Sequence, residues 1–275
     1  MLENDFKLYQ HREIGFGAHF QIVLCLIDYC TSNNIKCFFD IRNTTYSNEN
    51  QNTWEVIFQQ PFTDVNPQVT IKDQFTEIPG FLNYWNLGYQ TKDRKKYCNV
   101  EFVKKYKDIC HNFIHVKDNI LNEVNQYLNQ FNSKTILGIH KRGREHLTTG
   151  HAKNQEHLMS LDVVFSLIDD QIDLYDYLFL TSDEINTYNS FKSRYGKKLL
   201  IFDDKSQYID SKLDINYLEK TDDEKIKSLK NLIFEVLILS RCDKMLLMNS
   251  NVSHMALFFS EHFNYEFYDN HIIYS

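Results

Sequence analysis

The chain has 275 residues, of which 43% are hydrophobic and 24% are charged, and its formal net charge is −7 at pH 7. This composition supplies a sizeable hydrophobic core and so excludes a disordered or collagen-like chain, while the acidic balance argues against a general nucleic-acid binder. With only 8 glycines and 3 prolines, we expect glycine mainly where the backbone geometry requires it.

No targeting or membrane segment is recognisable in the sequence. The N-terminal residues lack the basic start and apolar stretch of a signal peptide, and the most apolar runs are too short or carry charges. We therefore expect a cytoplasmic protein with no membrane span. The six cysteines contain no Cys-x-x-Cys pair, which favours reduced thiols over disulfides, with zinc held by Cys25, Cys30 and Cys37 as the alternative.

The first part of the chain predicts a strand, a glycine-containing turn, a helix and a second strand. The first strand ends near Ile14, Gly15-Phe16-Gly17 forms the turn, and an apolar helix covers residues 18–30. Residues 35–41 (IKCFFDI) are rich in apolar β-formers and predict a buried strand.

The next segment is less regular. Residues 42–98 are polar and hold all three prolines, so they predict loops with one or two short strands, such as residues 54–58. Residues 99–131 have helical periodicity and predict two helices.

From residue 134 onward, strands and helices alternate. The predicted strands are residues 135–140, 177–181, 198–202 and 244–248. The predicted helices are residues 156–169, 185–195, 223–242 and 252–260. This alternation is typical of a parallel, doubly wound sheet. We therefore expect an α/β protein of two domains that face a cleft, residues 1–133 and residues 134–275.

Ligands of open parallel sheets bind beyond the carboxyl ends of the strands, so the polar segments that follow the strands are the candidate site. These segments are residues 15–17, 140–146, 182–184, 203–204 and 249–253.

Residues 140–146 (HKRGREH) hold the densest set of charged side chains. Arg142 and Arg144 offer planar, permanently charged guanidinium groups that suit a phosphate, and Gly143 lets the backbone approach such a ligand. The segment predicts a phosphate or diphosphate site, with a charged surface loop as the alternative. Zinc bound by the four histidines of residues 140–157 is disfavoured, because their spacing fits no helical ligand pair.

The other turns each have a structural and a functional interpretation. The Gly15-Phe16-Gly17 turn either presents N–H groups to an anion at a helix start or is a simple turn. Residues 249–253 (NSNVS) cap a helix, hold a phosphate, or do both. Residues 182–184 (SDE) cap a helix, or the carboxylates of Asp183 and Glu184 bind ribose hydroxyls or a guanine edge.

These segments follow the order of a known family. Residues 139–146 (IHKRGREH) resemble the central strand-His-x-Arg-x-x-Asp/Glu motif of GDP-fucose-dependent fucosyltransferases, in particular of the α1,6-fucosyltransferase and nodulation-fucosyltransferase branch. Four further segments are similar to that family's glycine-rich turn, its strand ending in Thr-Asp-Asp, its Asp-x-x-x-Leu-Ser-x-x-Asp helix and its serine-rich turn: residues 15–20 (GFGAHF), 179–184 (FLTSDE), 235–243 (EVLILSRCD) and 250–253 (SNVS).

The resemblance implies a GT-B-like fold of two Rossmann-type domains, with the acceptor side in residues 1–133 and the nucleotide-sugar site in residues 134–275. It implies an inverting transfer of fucose from GDP-fucose to a glycan or other hydroxyl acceptor, with no cofactor and no essential metal. Its donor-binding residues would be Gly15, Gly17, His19, His140, Arg142, Asp183, Glu184, Glu235, Ser250 and Asn251.

The resemblance also implies individual roles. Arg142 would hold the β-phosphate and stabilise the leaving diphosphate, and Glu235 would recognise guanine. Apart from the resemblance, the reaction calls for a carboxylate as general base, and Glu145 and Glu13 are the two candidates. Gly143 stands where the close branch has a second arginine, and glutamate replaces aspartate at 145 and 235. Two alternatives therefore stay open: transfer from another nucleotide sugar, and a non-catalytic nucleotide-binding or glycan-binding relative.

Overall fold

The computed structural model describes residues 5–10, 15–72, 100–142, 160–202 and 221–268. The chain divides into two compact units, and each is described by itself. The first unit contains the described residues of Met1–Glu123 and Lys220–Ile233, and the second contains those of Val124–Glu219 and Phe234–Ser275.

The first unit is built on a three-stranded parallel sheet. Strand β1 (Phe6–Gln10) lies between β2 (Cys37–Ile41) and β3 (Val69–Lys72). The helices are α1 (Phe16–Asn33), α2 (Thr53–Ile57), α3 (Val100–Phe113) and α4 (Asp118–Leu128), the last of which continues into the second unit. The predicted strand–turn–helix–strand order is confirmed, while the predicted end of the first strand at Ile14 lies outside the described residues.

Helix α1 is buried along almost the whole stretch of residues 16–30. It packs against β2 and α3. At α3, Asp28 forms a 2.5 Å ion pair with Lys105, and Cys25 Sγ lies 3.8 Å from the Tyr106 hydroxyl. A helix enclosed on several sides needs apolar residues around most of its circumference, which is why its sequence shows a nearly continuous apolar run.

The second unit is a five-stranded parallel sheet with the strand order β6-β5-β4-β7-β8. Its strands are β4 (Ile136–Lys141), β5 (Tyr177–Ser182), β6 (Leu199–Leu200), β7 (Lys244–Leu247) and β8 (Tyr265–Phe267). Its helices are α5 (Leu161–Asp169), α6 (Ile185–Tyr195), the C-terminal part of α7 (Asp222–Leu239) and α8 (Asn251–Phe259). The strand order reverses at β4, so β4 is the topological switch point of a doubly wound sheet. The predicted parallel α/β architecture is confirmed for this unit.

The middle strand β4 is buried at all six positions. Leu137 and Ile139 belong to the core cluster that α5 and α6 cover. Gly138 faces the opposite side, where an added Cβ would lie 2.6 Å from Leu239 Cδ1 and 2.8 Å from Cys242 Sγ. Glycine at this position therefore lets the C-terminal end of α7 approach the sheet.

Two strand predictions need correction. Residues 54–58 were expected to be a strand, but they largely belong to helix α2, because Asn52 Oδ1 accepts a 3.2 Å hydrogen bond from the Trp54 N–H and starts a helical turn. Trp54 and Ile57 then lie on one buried face. The strand expected at residues 198–202 is reduced to Leu199–Leu200, and Asp203 and Asp204 lie outside the described residues.

Other boundaries are close to those expected. The helix predicted for residues 185–195 is confirmed, and it ends at Gly196, whose φ of 51° is in the left-handed region. Strand β8 was not predicted. Within the described ranges, none of the helices combines the length and apolar character needed to cross a membrane.

Candidate functional site

The carboxyl ends of β4, β5 and β7 lie side by side in the second unit. His140 is paired with both Thr181 and Leu247, and Lys141 is paired with Ser182. We call this region the carboxyl end of the sheet. The predicted site residues that leave the strands here are Arg142 after β4, Asp183 and Glu184 after β5, and Ser250 and Asn251 after β7.

His140 is joined to the turn that begins α8. Its Nδ1 lies 2.7 Å from Ser253 Oγ and 3.2 Å from Ser250 Oγ, and all three residues are buried. Ser250 caps α8, because its Oγ accepts a 3.2 Å hydrogen bond from the Ser253 backbone N–H. The capping interpretation of this turn is therefore confirmed, and the same bonds hold the N-terminus of α8 against β4.

Burial controls the charge of the two histidines at this site. Burial first, and then the charges of Arg142 and Lys141, lower the pKa of His140 to about 3. Burial and the neighbouring His140 lower the pKa of His254 in α8 to about 3 as well. Both rings are therefore neutral at pH 7, so they offer hydrogen bonds and no positive charge. The cations beside them are Lys141, which is buried, and Arg142, which is half-buried.

Glu235 places a buried carboxylate next to the end of β5. Its Oε2 accepts a 2.6 Å hydrogen bond from the Thr181 hydroxyl, and both residues are almost fully buried. A carboxylate accepts several hydrogen bonds at once. This one is therefore suited to a ligand that carries N–H or O–H donors at the carboxyl end of the sheet.

The start of α6 is held by hydrogen bonds to the end of β5 and within its own first turn. The Tyr188 hydroxyl donates to the Ser182 carbonyl at 2.9 Å and accepts from the Ser182 N–H at 2.7 Å. The Glu184 carboxylate accepts a 2.8 Å hydrogen bond from Thr187 Oγ1. Glu184 occupies the N-cap position of α6, but its side chain accepts no capping hydrogen bond from a backbone N–H, so capping by this carboxylate is not confirmed. Asp183 is exposed.

The N-terminal site residues belong to the first unit. Gly15 is the N-cap of α1, and its carbonyl accepts a 2.9 Å hydrogen bond from the Ala18 N–H. Because that bond starts the helix at Phe16, Gly17 lies within its first turn and not before it, which corrects the predicted start at residue 18. Gly17 and His19 are both buried.

Some assignments cannot be located. Glu145 and Glu13, the two candidate general bases, lie outside the described residues, as do Gly143 and Arg144.

Seven of the predicted site residues come together in the second unit, at the carboxyl end of one sheet: His140, Arg142, Asp183, Glu184, Glu235, Ser250 and Asn251.

Four residues of this site were not assigned a role from the sequence. Ser253 and Thr181 lie inside the motifs quoted above, so their position in those motifs was a signal. Tyr188 and Tyr268 lie outside those motifs, and no sequence signal indicated a role for them. Tyr268 follows β8. Its hydroxyl donates a 2.8 Å hydrogen bond to the His140 carbonyl and so fixes the end of β4.

The cysteines bear on the alternative of a zinc site. Those that the structure describes are buried thiols: Cys25, Cys30, Cys37, Cys110 and Cys242. In the part of the chain that the structure describes, no group of three or more His, Cys, Asp or Glu side chains is placed to hold a metal ion.

No family model matches this sequence, and no curated protein matches it. Solved structures do share its fold. The structure of NodZ α-1,6-fucosyltransferase soaked with GDP-fucose is similar with a TM-score of 0.57 and 13% identity, over 94% of this chain and 93% of that one. A further structure of NodZ, from Bradyrhizobium, gives the same TM-score and identity, over 93% and 92%.

Two other proteins give similar results. A mutant of Arabidopsis thaliana FUT1 in complex with GDP has a TM-score of 0.53 and 10% identity, over 93% of this chain and 69% of that one. POFUT1 in complex with GDP has a TM-score of 0.51 and 10% identity, over 92% and 95%. The resemblance found in the motifs is therefore confirmed at the level of the fold, a mixed α/β fold with parallel sheets.

Proposed function

We propose that this chain is a glycosyltransferase of GT-B-like fold that transfers fucose from GDP-fucose to a hydroxyl group of a glycan or other acceptor. One observation carries the proposal. Four residues from the motifs meet at the carboxyl end of one sheet: His140, Thr181, Glu235 and Ser250. The fold of the chain resembles a fucosyltransferase structure along 94% of its length.

The donor nucleotide occupies this carboxyl end of the sheet. The N-terminus of α8, with Ser250 and Asn251, faces the phosphates, because free N–H groups and the helix dipole favour an anion there. Neutral His140 contacts the nucleotide, and Glu235 accepts hydrogen bonds from the N–H groups of guanine. Asp183 and Glu184 line the donor pocket.

The remaining assignments concern the domains. Residues 134–275 form the nucleotide-sugar domain, and residues 1–133 form the domain that binds the acceptor. We also propose Gly15, Gly17 and His19 as donor-binding residues.

The proposed reaction is a single displacement. The acceptor oxygen attacks the anomeric carbon of fucose as the bond between that carbon and the β-phosphate oxygen breaks, which inverts the configuration. The acceptor proton passes to a carboxylate, either Glu145 or Glu13. Negative charge grows on the leaving diphosphate, and the guanidinium of Arg142 stabilises it in the role that a metal ion would otherwise fill.

A thermal-shift panel tests the donor. We expect GDP-fucose to raise the melting temperature more than GDP-mannose or any UDP-sugar, because a ligand that binds only the folded state stabilises it. No shift with any GDP ligand would overturn the proposal, and a larger shift with a different nucleotide sugar would reassign the donor.

Catalysis needs a second measurement, because a non-catalytic relative would also bind GDP-fucose. Release of GDP from GDP-fucose is followed with and without a mixture of glycan acceptors. Acceptor-dependent release identifies an enzyme, and binding without release identifies a binding module.

A further inference from the structure

We propose that Phe202 is the surface on which the purine ring of the donor nucleotide stacks, and that it gives the site a preference for a purine over a pyrimidine. The inference rests on the proposed function, which places a nucleotide at the carboxyl end of the sheet. It adds an aromatic residue that none of the motifs contains.

Phe202 follows β6 at the carboxyl end of the sheet, two residues after the last paired position, Leu200. Its ring contacts Phe234, so it lies on the side of the sheet that α7 covers. Thr181 holds Glu235 of the same helix.

Two ring contacts hold the Phe202 side chain. The ring of Phe202 lies 5.0 Å from that of Phe234, the residue before Glu235, at an interplanar angle of 72°. It lies 5.3 Å from the ring of Tyr127 at 75°. Such near-perpendicular contacts are favourable and hold a ring in one plane.

Phe202 nevertheless keeps part of its surface accessible. Its burial is intermediate, whereas Phe234 is only 5% exposed. A partly exposed aromatic ring that packs on the residue preceding a buried glutamate is a combination that fits a flat, N–H-bearing heterocycle. The carboxylate accepts from the edge of the heterocycle, and the ring packs on its face.

Tyr127, which packs on Phe202, leaves the proposed stacking surface uncharged. We call the Phe202 ring and its packing partners the platform. Burial first, and then electrostatic interactions with Cys242 and Glu235, raise the pKa of Tyr127 to about 12. Its phenol, which is neutral at pH 7 even at the ordinary tyrosine pKa of about 10, adds no charge here. A purine presents a larger face to this platform than a pyrimidine does, so removal of the Phe202 ring weakens purine binding more.

Calorimetric titration with GDP, UDP and inorganic pyrophosphate tests this inference. In Phe202→Leu we expect the Kd for GDP to rise about tenfold, because base stacking on an aromatic side chain contributes on this scale. The Kd for UDP should rise less, and the Kd for pyrophosphate, which has no base, should not change. Phe202→Tyr keeps the ring and should bind GDP within about twofold of the wild type.

Phe131→Leu is the matched control. Phe131 is also half-buried and packs on Tyr127 at 5.4 Å, but its other ring contact is Tyr177 and not Phe234. This variant should bind GDP as the wild type does. If Phe202→Leu does not fold, Phe202→Met takes its place with the same expectation.

The outcomes separate this inference from the proposed function. If the wild type binds GDP and Phe202→Leu binds it equally well, stacking on Phe202 is wrong and the proposed function stands. An equal loss for GDP and pyrophosphate also overturns the inference, since it shows a general distortion of the site. If the wild type binds no guanine nucleotide, both fail.

Discussion

The Thr181 hydroxyl donates a 2.6 Å hydrogen bond to Glu235 Oε2, so the end of β5 is joined to a helix residue 54 positions further along the chain. Both residues are almost fully buried. A buried carboxylate loses much of its hydration, and each hydrogen bond that it accepts from the protein offsets part of that cost. The same bond fixes the position of the carboxylate that we propose binds the nucleotide base.

Thr181→Val keeps the shape of the side chain and removes the donor. We expect the free energy of unfolding of the second unit to fall by about 1.5–3 kcal/mol, the usual range for a hydrogen bond to a charged group. Urea unfolding at pH 7 measures it. Thr187→Val is the control, because it removes a hydroxyl donor to the half-buried Glu184. A loss at Thr187 as large as that at Thr181 would contradict the importance of burial at Glu235.

Arg142→Ala tests the electrostatic part of the proposed mechanism. Loss of one preorganised donor to a developing negative charge typically lowers the rate about 100- to 1000-fold, and we expect a fall of that size in GDP release with acceptor present. Circular dichroism should show an unchanged fold. The exposed Arg194, which pairs with Asp169 on the surface, provides the control. Arg194→Ala should leave turnover unchanged, and near-wild-type turnover in Arg142→Ala would show that the assignment is wrong.

Gly138→Ala tests the close approach of α7 to β4. Its Cβ would lie 2.6 Å from Leu239 Cδ1, within a packed core. We expect a loss of about 1–3 kcal/mol of stability, the usual cost of overpacking, measured by urea unfolding. In a Leu239→Ala background the added methyl group should cost less, because the nearest clashing atom is gone, although Cys242 Sγ at 2.8 Å remains. Equal costs in the two backgrounds would mean that the contact with Leu239 is not the cause.

The buried histidines predict a stability that falls in acid. Histidine has a pKa of about 6.5 in an unfolded chain, and that of His140 or His254 is about 3 in the folded state. Between these values the unfolded state binds more protons, so the free energy of unfolding rises with pH and is lost as the pH falls from about 6.5 towards 3. Each histidine contributes a slope of up to about 1.4 kcal/mol per pH unit.

Urea unfolding at intervals between pH 7 and pH 4.5 measures this slope. His254→Phe removes one of the two groups and leaves a similar volume among the rings of Phe258 and Phe267. The slope of the variant should therefore be smaller than that of the wild type. An identical slope would mean that His254 does not titrate with folding.

Local signals in the sequence predicted the second unit well. A glycine with φ of 51° ends α6 and a serine caps α8, and both boundaries were visible as turn and cap residues. Residues 54–58 were harder, because a five-residue element is too short for its periodicity to separate helix from strand. The capping hydrogen bond of Asn52 favours the helix over the strand. Strand β8 has three residues, and its pairing with β7 depends on contacts that only the folded sheet supplies.

The candidate site, too, was predicted in part from the sequence. Segments after the strands were expected to meet, since parallel strands end on the same side of a sheet, and His140 and Ser250 do so. Tyr268 was not expected, because it reaches the His140 carbonyl from the residue after β8 through packing. No sequence spacing encodes such contacts.

The burial of β4 between β5 and β7 has a consequence for motion. Its backbone amides are bonded on both sides and its side chains are shielded, so they should exchange with deuterium only when the whole unit unfolds. His140 is anchored at the end of this most protected strand. In the proposed function, a nucleotide bound at this end of the strand would therefore contact a rigid part of the backbone.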